Sequence, residues 1–186
     1  MLILMMTGCK ASSKGVTLGE VNGNQYSNDY FGFSFTFPEY WDEVYSRQSV
    51  EEITKLDNLV SLSKEIDLEK QDCLTLFQIV GNPFMRVMAF KIGTENRYFE
   101  GIQITTVEKL IDIQRGLYRE KGINVSDAQN KTIGSKAFKR FEIMFEDNDR
   151  RDFYFCEANG YILRFEIQFH EMHDEVEDFI DSIKFY

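Results

Sequence analysis

Two histidines with acidic neighbours are the side chains whose types best suit a metal site. His170, Glu171, His173 and Asp174 lie close together, and the chain has only 2 histidines. Imidazole and carboxylate groups bind zinc, but the H-E-x-x-H order of a zinc protease helix is absent. A strand is predicted to end near His170 and a helix to begin near Asp174, so the rings do not share one helix face. We predict no metal site and interpret the segment as a solvated strand end.

A nucleophilic enzyme site would have to use one of these histidines as its base. No nucleophile motif lies near them, and Cys73 and Cys156 sit among apolar residues, which suits buried rather than activated thiols. Glycine-rich phosphate loops are absent, and Asp147-Asn148-Asp149 lacks the later Gly and Glu of a calcium loop. The sequence therefore predicts a non-enzymatic protein without a cofactor. A small envelope hydrolase with His170 or His173 as base is the alternative.

The opening of the chain carries a different kind of chemistry. Met6-Thr7-Gly8-Cys9 ends an apolar run and precedes the polar stretch Lys10–Gly15. It resembles the lipobox of bacterial lipoproteins, in which the chain is cut before the cysteine and that cysteine carries the lipid. The resemblance implies lipidation of Cys9, while an incidental cysteine in a frayed terminus is the alternative. Because the apolar run has no basic lead, we expect the natural start to lie upstream.

Charge and length set the broad class. Asp and Glu total 31 against 21 Lys and Arg, giving a net charge of −10, which disfavours nucleic acid and anionic lipid headgroups as partners. No later segment is apolar enough to span a bilayer. We predict a truncated signal segment over 1–8, a flexible tether over 9–24 and one domain over 25–186. The protein would be extracytoplasmic, with its membrane contact made through the lipid.

The remaining cysteines leave two possibilities open. If Cys9 carries a lipid, Cys73 and Cys156 are left as a possible disulfide pair. Both fall in predicted strands with apolar neighbours, which favours two separate buried thiols over a bridge.

Several elements can be placed by periodicity. The stretch YFGFSFTF alternates, which predicts a strand over 30–37 with one buried face carrying Phe31, Phe33, Phe35 and Phe37. Strands are also predicted over 73–80 and 84–92, apolar on both faces and so covered by helices on both sides. Capping boxes predict a short helix over 50–56 and another that begins after Thr105, with Glu108 completing the box. The buried face of the second helix is predicted to carry Val107, Leu110, Ile111, Gln114 and Leu117. A last helix is predicted from Met172, Val176, Phe179, Ile180 and Ile183.

A meander follows, whose register depends on two turns. Asn159-Gly160 predicts a type I′ turn that sets Ala158 opposite Tyr161 and Tyr154 opposite Phe165. A four-residue turn over 147–150 would set Ile143 opposite Tyr154. The predicted core face then consists of Phe141, Ile143, Phe145, Tyr154, Cys156, Tyr161, Leu163, Phe165 and Ile167.

The opposite face of the meander is the predicted partner surface. Two aromatic residues, Phe153 and Phe155, would lie there among charged side chains, beside Ile162, Arg164 and Arg140. An exposed aromatic patch with charged flanks suits docking of a partner, while cover by the 107–117 helix is the alternative. The turn at Tyr40-Trp41 is the second candidate surface, unless its aromatic residues cover the core.

A family resemblance agrees with this order of elements. YSNDYFGFSFTFPEYWDE (26–43) and EVEDFIDSIKF (175–185) resemble small lipoproteins of clostridia and their relatives, which are similar to the PsbP-like superfamily. The resemblance implies an α+β fold, an antiparallel sheet between helical layers. It implies a non-catalytic accessory or binding domain whose partner is a protein or an envelope component. A structural surface lipoprotein without a specific ligand fits the sequence equally well, and the oligomeric state is open.

Overall fold

Strands make up most of the regular structure. The computed structural model describes residues 15–38, 41, 67–80, 83–145, 149–170 and 173–186. Its helices are α1 (Val107–Glu120) and α2 (His173–Asp181), and short 3-10 turns lie at Leu68–Lys70 and Arg97–Phe99. The strands are β1 (Glu20–Asn22), β2 (Gln25–Asn28), β3 (Phe33–Thr36), β4 (Cys73–Ile79), β5 (Phe84–Lys91), β6 (Glu95–Asn96), β7 (Ile102–Gln103), β8 (Asn124–Val125), β9 (Gln129–Ile133), β10 (Lys136–Met144), β11 (Arg150–Ala158), β12 (Tyr161–Phe169) and β13 (Lys184–Phe185).

A large antiparallel sheet forms the middle layer. Its strands run in the order β4-β5-β12-β11-β10-β8, and β9 also pairs with β10. A smaller sheet, β1-β2-β3-β13, and α2 pack against one face of the large sheet, which we call the small-sheet face. Helix α1 packs against the other, which we call the helix face. These layers confirm the predicted α+β class, an antiparallel sheet flanked by helices in one domain, and add an unpredicted second sheet beside α2.

The predicted phenylalanine strand is confirmed in part, since β3 covers Phe33–Thr36 of the predicted 30–37 and Phe31 lies in the turn before it. Its alternate aromatic residues Phe31, Phe33, Phe35 and Phe37 are all buried. The Phe33 ring meets Phe165 of the large sheet edge-on at 5.4 Å, and Phe35 meets Phe179 of α2 at 5.3 Å. Because edge-to-face pairs add to the free energy of burying the rings, this strand joins the small sheet, the large sheet and α2 in one aromatic core.

The ordered domain begins earlier than predicted. Strand β1 falls inside the range 9–24 that was predicted as a tether, and Val16 and Leu18 already pack on the core. Two buried polar groups fix this segment, since Tyr26 donates to the Leu18 carbonyl at 2.8 Å and Asn28 donates to the Thr17 carbonyl at 3.0 Å. The tether prediction is therefore wrong for the described part of its range, 15–24, because the bonds that order it come from Tyr26 and Asn28 outside the range.

Helix α1 is confirmed, with two corrections. Thr106, not Thr105, is its N-cap, and the Thr106 hydroxyl accepts a hydrogen bond from the Lys109 backbone N–H at 3.2 Å. Val107, Leu110, Ile111 and Gln114 are buried as predicted, but Leu117 is 46% exposed. At that turn the helix contacts the sheet through Tyr118, whose ring lies 5.7 Å from Phe153, so Leu117 lies at the edge of the buried stripe.

The predicted register of the meander is right at one turn and wrong at the other. Asn159 and Gly160 both have positive φ, and Ala158 pairs with Tyr161 and Tyr154 with Phe165, as predicted. On the other side, Tyr154 pairs with Arg140 instead of Ile143. This odd shift in register turns Phe141 and Ile143 to the helix face, because successive side chains point to opposite faces of a strand. Phe145 is half-buried beside the helix-face core, and Phe138 lies on the small-sheet face instead.

The C-terminal segment and the β4–β5 hairpin complete the fold. Val176, Phe179 and Ile180 of α2 are buried as predicted, but the ending Ser182-Ile183-Lys184-Phe185 leaves the helix and adds β13 to β3. Strands β4 and β5 pair as predicted. The predicted helix over 50–56 lies outside the described residues. Among those that are described, no helix has the length and apolar character needed to cross a membrane.

Burial of the helix face generates a stability prediction. Phe155→Ala is expected to lower the free energy of unfolding by about 3–5 kcal/mol, because it removes a fully buried ring from under α1. Leu117→Ala, on the exposed side of the same helix, is the matched control and is expected to change it by less than about 0.5 kcal/mol. Urea unfolding followed by circular dichroism measures both. A cost below about 1 kcal/mol for Phe155→Ala would contradict this packing.

Candidate functional site: charged groups on the two faces of the large sheet

The predicted partner surface is buried, so the prediction is wrong. Phe153, Phe155 and Ile162 are each 0% exposed on the helix face. The Phe153 ring lies 5.7 Å from Tyr118 of α1 and stacks on Phe141 at 4.8 Å. The aromatic residues are core because α1 needs an apolar sheet surface to bury its own Leu110 and Ile111. Cover by the helix, the alternative raised from the sequence, is what the structure has.

Arg164, predicted to flank that surface, is itself buried at 1% exposure. Its guanidinium lies over the rings of Phe90 and Tyr98, at 5.2 Å from each ring centroid. It donates to Glu166 at 2.9 Å and to the Gln114 side-chain oxygen of α1 at 3.3 Å. A charge buried this deeply needs a counter-charge and hydrogen bonds, and Arg164 has both.

Glu166 is the centre of the polar group under α1. One of its carboxylate oxygens pairs with Arg164, and the other accepts from Arg151 at 2.9 Å. Arg151 also donates to Gln168 and to the hydroxyl of Tyr118. Burial, and after it the nearby Glu166 carboxylate, raises the pKa of Tyr118. We call this set the Glu166 cluster: Gln114, Tyr118, Arg151, Arg164, Glu166 and Gln168.

A second set, the Asp152 cluster, lies on the small-sheet face and comprises Arg140, Glu142, Arg150, Asp152 and Tyr154. Arg140 and Arg150 reach the Asp152 carboxylate at 3.0 and 2.9 Å, and both also pair with Glu142. The Tyr154 hydroxyl donates to Asp152 at 3.2 Å. Burial lowers the pKa of Arg140, but the carboxylates outweigh that effect and raise it overall. Arg140, predicted as part of a partner surface, is therefore a core ion-pair residue with its side chain 19% exposed.

The carboxylates of both clusters are bound by groups within the fold. The Asp152 oxygens accept from two guanidinium groups and a phenol, and the Glu166 oxygens accept from two guanidinium groups. Charge-assisted bonds of this kind are strong and directional, so the clusters fix neighbouring strands and the seat of α1.

His170 contacts Asp149. His170 Nδ1 lies 2.8 Å from Asp149, and Asp149 also accepts from Gln168 at 3.2 Å. These bonds join the end of β12 to the start of β11. Within the described ranges, no set of three or more His, Cys, Asp or Glu side chains is placed to hold a metal ion.

Some of the predicted site residues cannot be placed. Met6, Thr7, Gly8, Cys9 and Tyr40 lie outside the described residues. Trp41 is described and is 1% exposed, with its ring 5.0 Å from Phe179 of α2. As a contact surface Trp41 is therefore a wrong prediction, because its ring covers the end of the aromatic core.

Cys73 and Cys156 are two separate thiols, not a disulfide. Cys156 is buried on the small-sheet face and Cys73 is half-buried in the edge strand β4. Burial raises the pKa of the Cys156 thiol to about 12. A thiol in that environment is protonated and inert at neutral pH.

Sequence reasoning missed the acidic partners and the helix contribution to these clusters. From the sequence, Gln114 is predicted only as part of the buried face of α1 and no burial is predicted for Asp152, although both are buried polar residues. The available signal was the i, i+2 spacing of Arg164 with Glu166 and of Arg150 with Asp152, which places opposite charges on one face of a strand.

The Glu166 cluster generates an asymmetric prediction. Glu166→Gln is expected to lower the free energy of unfolding by about 3–5 kcal/mol, because it leaves buried Arg164 without a counter-charge. Arg164→Met is expected to cost less, since Glu166 keeps Arg151 and the new side chain meets Met88 and the Phe90 ring. Asp127→Asn, in a pair whose acidic side chain is 93% exposed, is the control and is expected to change little. Urea unfolding compares the variants, and a larger cost for Arg164→Met would contradict the arrangement.

The thiols generate a reactivity prediction. In the folded protein, iodoacetamide at pH 8 is expected to modify Cys73 and to leave Cys156 unmodified until the chain is denatured. The unfolded thiol has a pKa of about 8.5. In the folded protein the pKa of this thiol is about 12. The contribution of Cys156 to the free energy of unfolding is therefore fully present below the pKa of the unfolded thiol, and it decreases as the pH rises toward 12. Peptide mass mapping measures the modification, and prompt labelling of Cys156 in the folded state would contradict its burial.

Comparisons with known proteins give fold likenesses only. No protein-family model matches the chain, and no curated protein matches it. The chain is similar to the solution structure of cyanobacterial PsbP (CyanoP) from Synechocystis sp. PCC 6803, with 12% identity, a TM-score of 0.48, and cover of 92% of this chain and 98% of that one. It is also similar to a crystal structure from Bacteroides thetaiotaomicron VPI-5482, with 12% identity, a TM-score of 0.44 and 89% of this chain covered. This chain spans about half of that one, 49%. At this identity neither likeness carries information about ligand, partner or activity.

Proposed function

We propose that the protein is a lipid-anchored extracytoplasmic binding or accessory domain of the bacterial envelope, without enzymatic activity. The observation that carries the proposal is Met6-Thr7-Gly8-Cys9 followed directly by a polar segment. A thiol preceded by small residues is what a lipoprotein acyl acceptor requires, and the polar residues after it suit a short spacer. The kinship with clostridial lipoproteins is part of this proposal and rests on the short sequence resemblance alone.

The length of the spacer supports a partner close to the membrane. Among the described residues, Val16 is the first that packs on the core, and it lies seven residues after Cys9. At about 3.3–3.6 Å per extended residue, such a spacer reaches no more than about 25 Å. A domain held at this distance meets membrane proteins and envelope components before it meets distant ligands. Its net charge of −10 also disfavours nucleic acid as the partner.

The use of the ionisable groups supports binding over catalysis. Asp152 and Glu166, the most deeply buried carboxylates of the described residues, are each bound by two guanidinium groups. Their lone pairs are directed at fixed partners within the fold. A binding domain can use paired carboxylates for rigidity, whereas a carboxylate that acts as a general base has to face the substrate.

The anchor generates a testable prediction. The protein is made in its own host from its natural upstream sequence, alongside Cys9→Ala. The wild type is expected in the membrane fraction, starting at Cys9 with the mass of an added diacylglycerol, and the variant is expected to be released from the membrane. Intact mass measurement and fractionation report both properties. Cys73→Ala is the matched control and is expected to stay anchored. A soluble wild type that retains residues 1–8 would contradict the proposal.

A further inference from the structure

Among the described residues, one arginine on the helix face has no carboxylate as an ion-pair partner. Arg86 is half-buried on β5, directly across from Gln78 of β4 and Glu166 of β12. Glu166 is already held by Arg151 and Arg164. Within the part of the chain that the structure describes, no carboxylate lies within ion-pair distance of Arg86.

The fold nevertheless holds the Arg86 guanidinium in a fixed position. Its Nε donates to the Gln78 side-chain oxygen at 3.0 Å, and its plane lies over the Phe84 ring, 5.1 Å from the centroid. Arg151 lies over the same ring at 5.8 Å. With Nε bonded to Gln78, the two Nη groups are the donors that Arg86 has left, and together they form a planar fork.

Gln78 provides a further hydrogen-bond donor beside the Nη groups of Arg86. Gln78 is 6% exposed, and its oxygen is used by Arg86, so its amide nitrogen is the group left to donate. The described residues provide no acceptor for that nitrogen or for the Nη groups of Arg86. A half-buried patch with several N–H donors and positive charge matches an oxyanion, since carboxylate and phosphate groups bind the arginine fork in a bidentate manner.

The surrounding charge supports an anion rather than a cation. Arg86 lies across the sheet from Glu166, which Arg151 and Arg164 bind, so these side chains comprise three guanidinium groups and one carboxylate. Asp149 and His170 lie at the outer end, beside Gln168. In a chain of net charge −10, a local excess of guanidinium groups is unusual. Over distances shorter than the Debye length of about 8 Å, this local charge determines which ions bind.

We propose that Arg86 and Gln78, over the ring of Phe84, bind an oxyanion, the phosphate or carboxylate group of an envelope ligand. The inference deepens the proposed binding function by naming the ligand chemistry, and it does not depend on the anchor. Arg86 supplies the bidentate fork and the charge, Gln78 supplies a third donor, and the Phe84 ring holds the fork in place.

The test uses the full chain with Cys9→Ala, titrated with inorganic phosphate and separately with acetate at constant ionic strength. Backbone amide NMR signals of Gln78 and Arg86 are expected to shift and saturate with at least one of the two anions. Saturation with phosphate assigns a phosphate ligand, and saturation with acetate assigns a carboxylate. The absence of a saturable shift with either anion would overturn the proposal.

Variants make the assignment specific. Arg86→Lys keeps the charge but loses the planar fork, and it is expected to weaken binding at least about tenfold. Arg86→Gln is expected to abolish the response. Arg97→Gln removes an exposed arginine that is paired with Asp72 and is expected to bind as the parent does. Dispersed amide spectra establish that each variant is folded. Equal responses in the parent and in Arg86→Lys and Arg86→Gln would overturn the site, whatever the outcome of the anchoring experiment.

Discussion

Burial of both faces of the large sheet is the constraint on which the rest of the structure depends. Strands β5, β12 and β11 carry apolar residues at odd and at even positions, so neither face can be left in water. Helix α1 covers one face, and the small sheet with α2 covers the other. The aromatic residues of β3 complete the second cover, with Phe33 and Phe35 contacting the large sheet and α2 respectively.

This arrangement explains why charged residues lie inside the molecule. Each long strand of the meander also carries charged residues, and a face covered along its whole length buries some of them. The structure compensates for their burial by grouping opposite charges on one face, around Asp152 on one side and Glu166 on the other. The clusters therefore belong to the stability of the sheet, since removal of one partner leaves a charge in a medium of low dielectric constant.

The same constraint determines where function can lie. The aromatic residues that suggested a contact surface pack under α1, and Trp41 packs on Phe179 in the core of the other face. One charged group differs from this pattern, because the fold positions it without an ion-pair partner among the described residues. Arg86 satisfies that description, because the carboxylate opposite it in the sheet is bonded to two other arginines.

Sequence by itself determined those features that local chemistry specifies. Phenylalanine at every second position from Phe31 to Phe37 indicates a strand with one buried face. Asn159-Gly160 tolerates the positive φ values that a tight hairpin turn needs. Those residues predicted a buried strand and the β11–β12 register correctly. The period of α1 and its apolar stripe were equally readable, because a helix repeats every 3.6 residues whatever it packs on.

Tertiary structure alone decided the β10–β11 register and, with it, the candidate site. Apolar side chains occur at both odd and even positions in these strands, so either register buries a set of apolar residues. The loop between the strands contains no Asn-Gly pair that would favour one register. Two ring contacts select the register. Phe141 stacks on Phe153 beneath α1, and Phe138 meets Phe165 edge-on on the other face. Whether a side chain such as Phe155 is exposed or core depends on a helix that lies more than thirty residues away along the chain, and no local pattern contains that information.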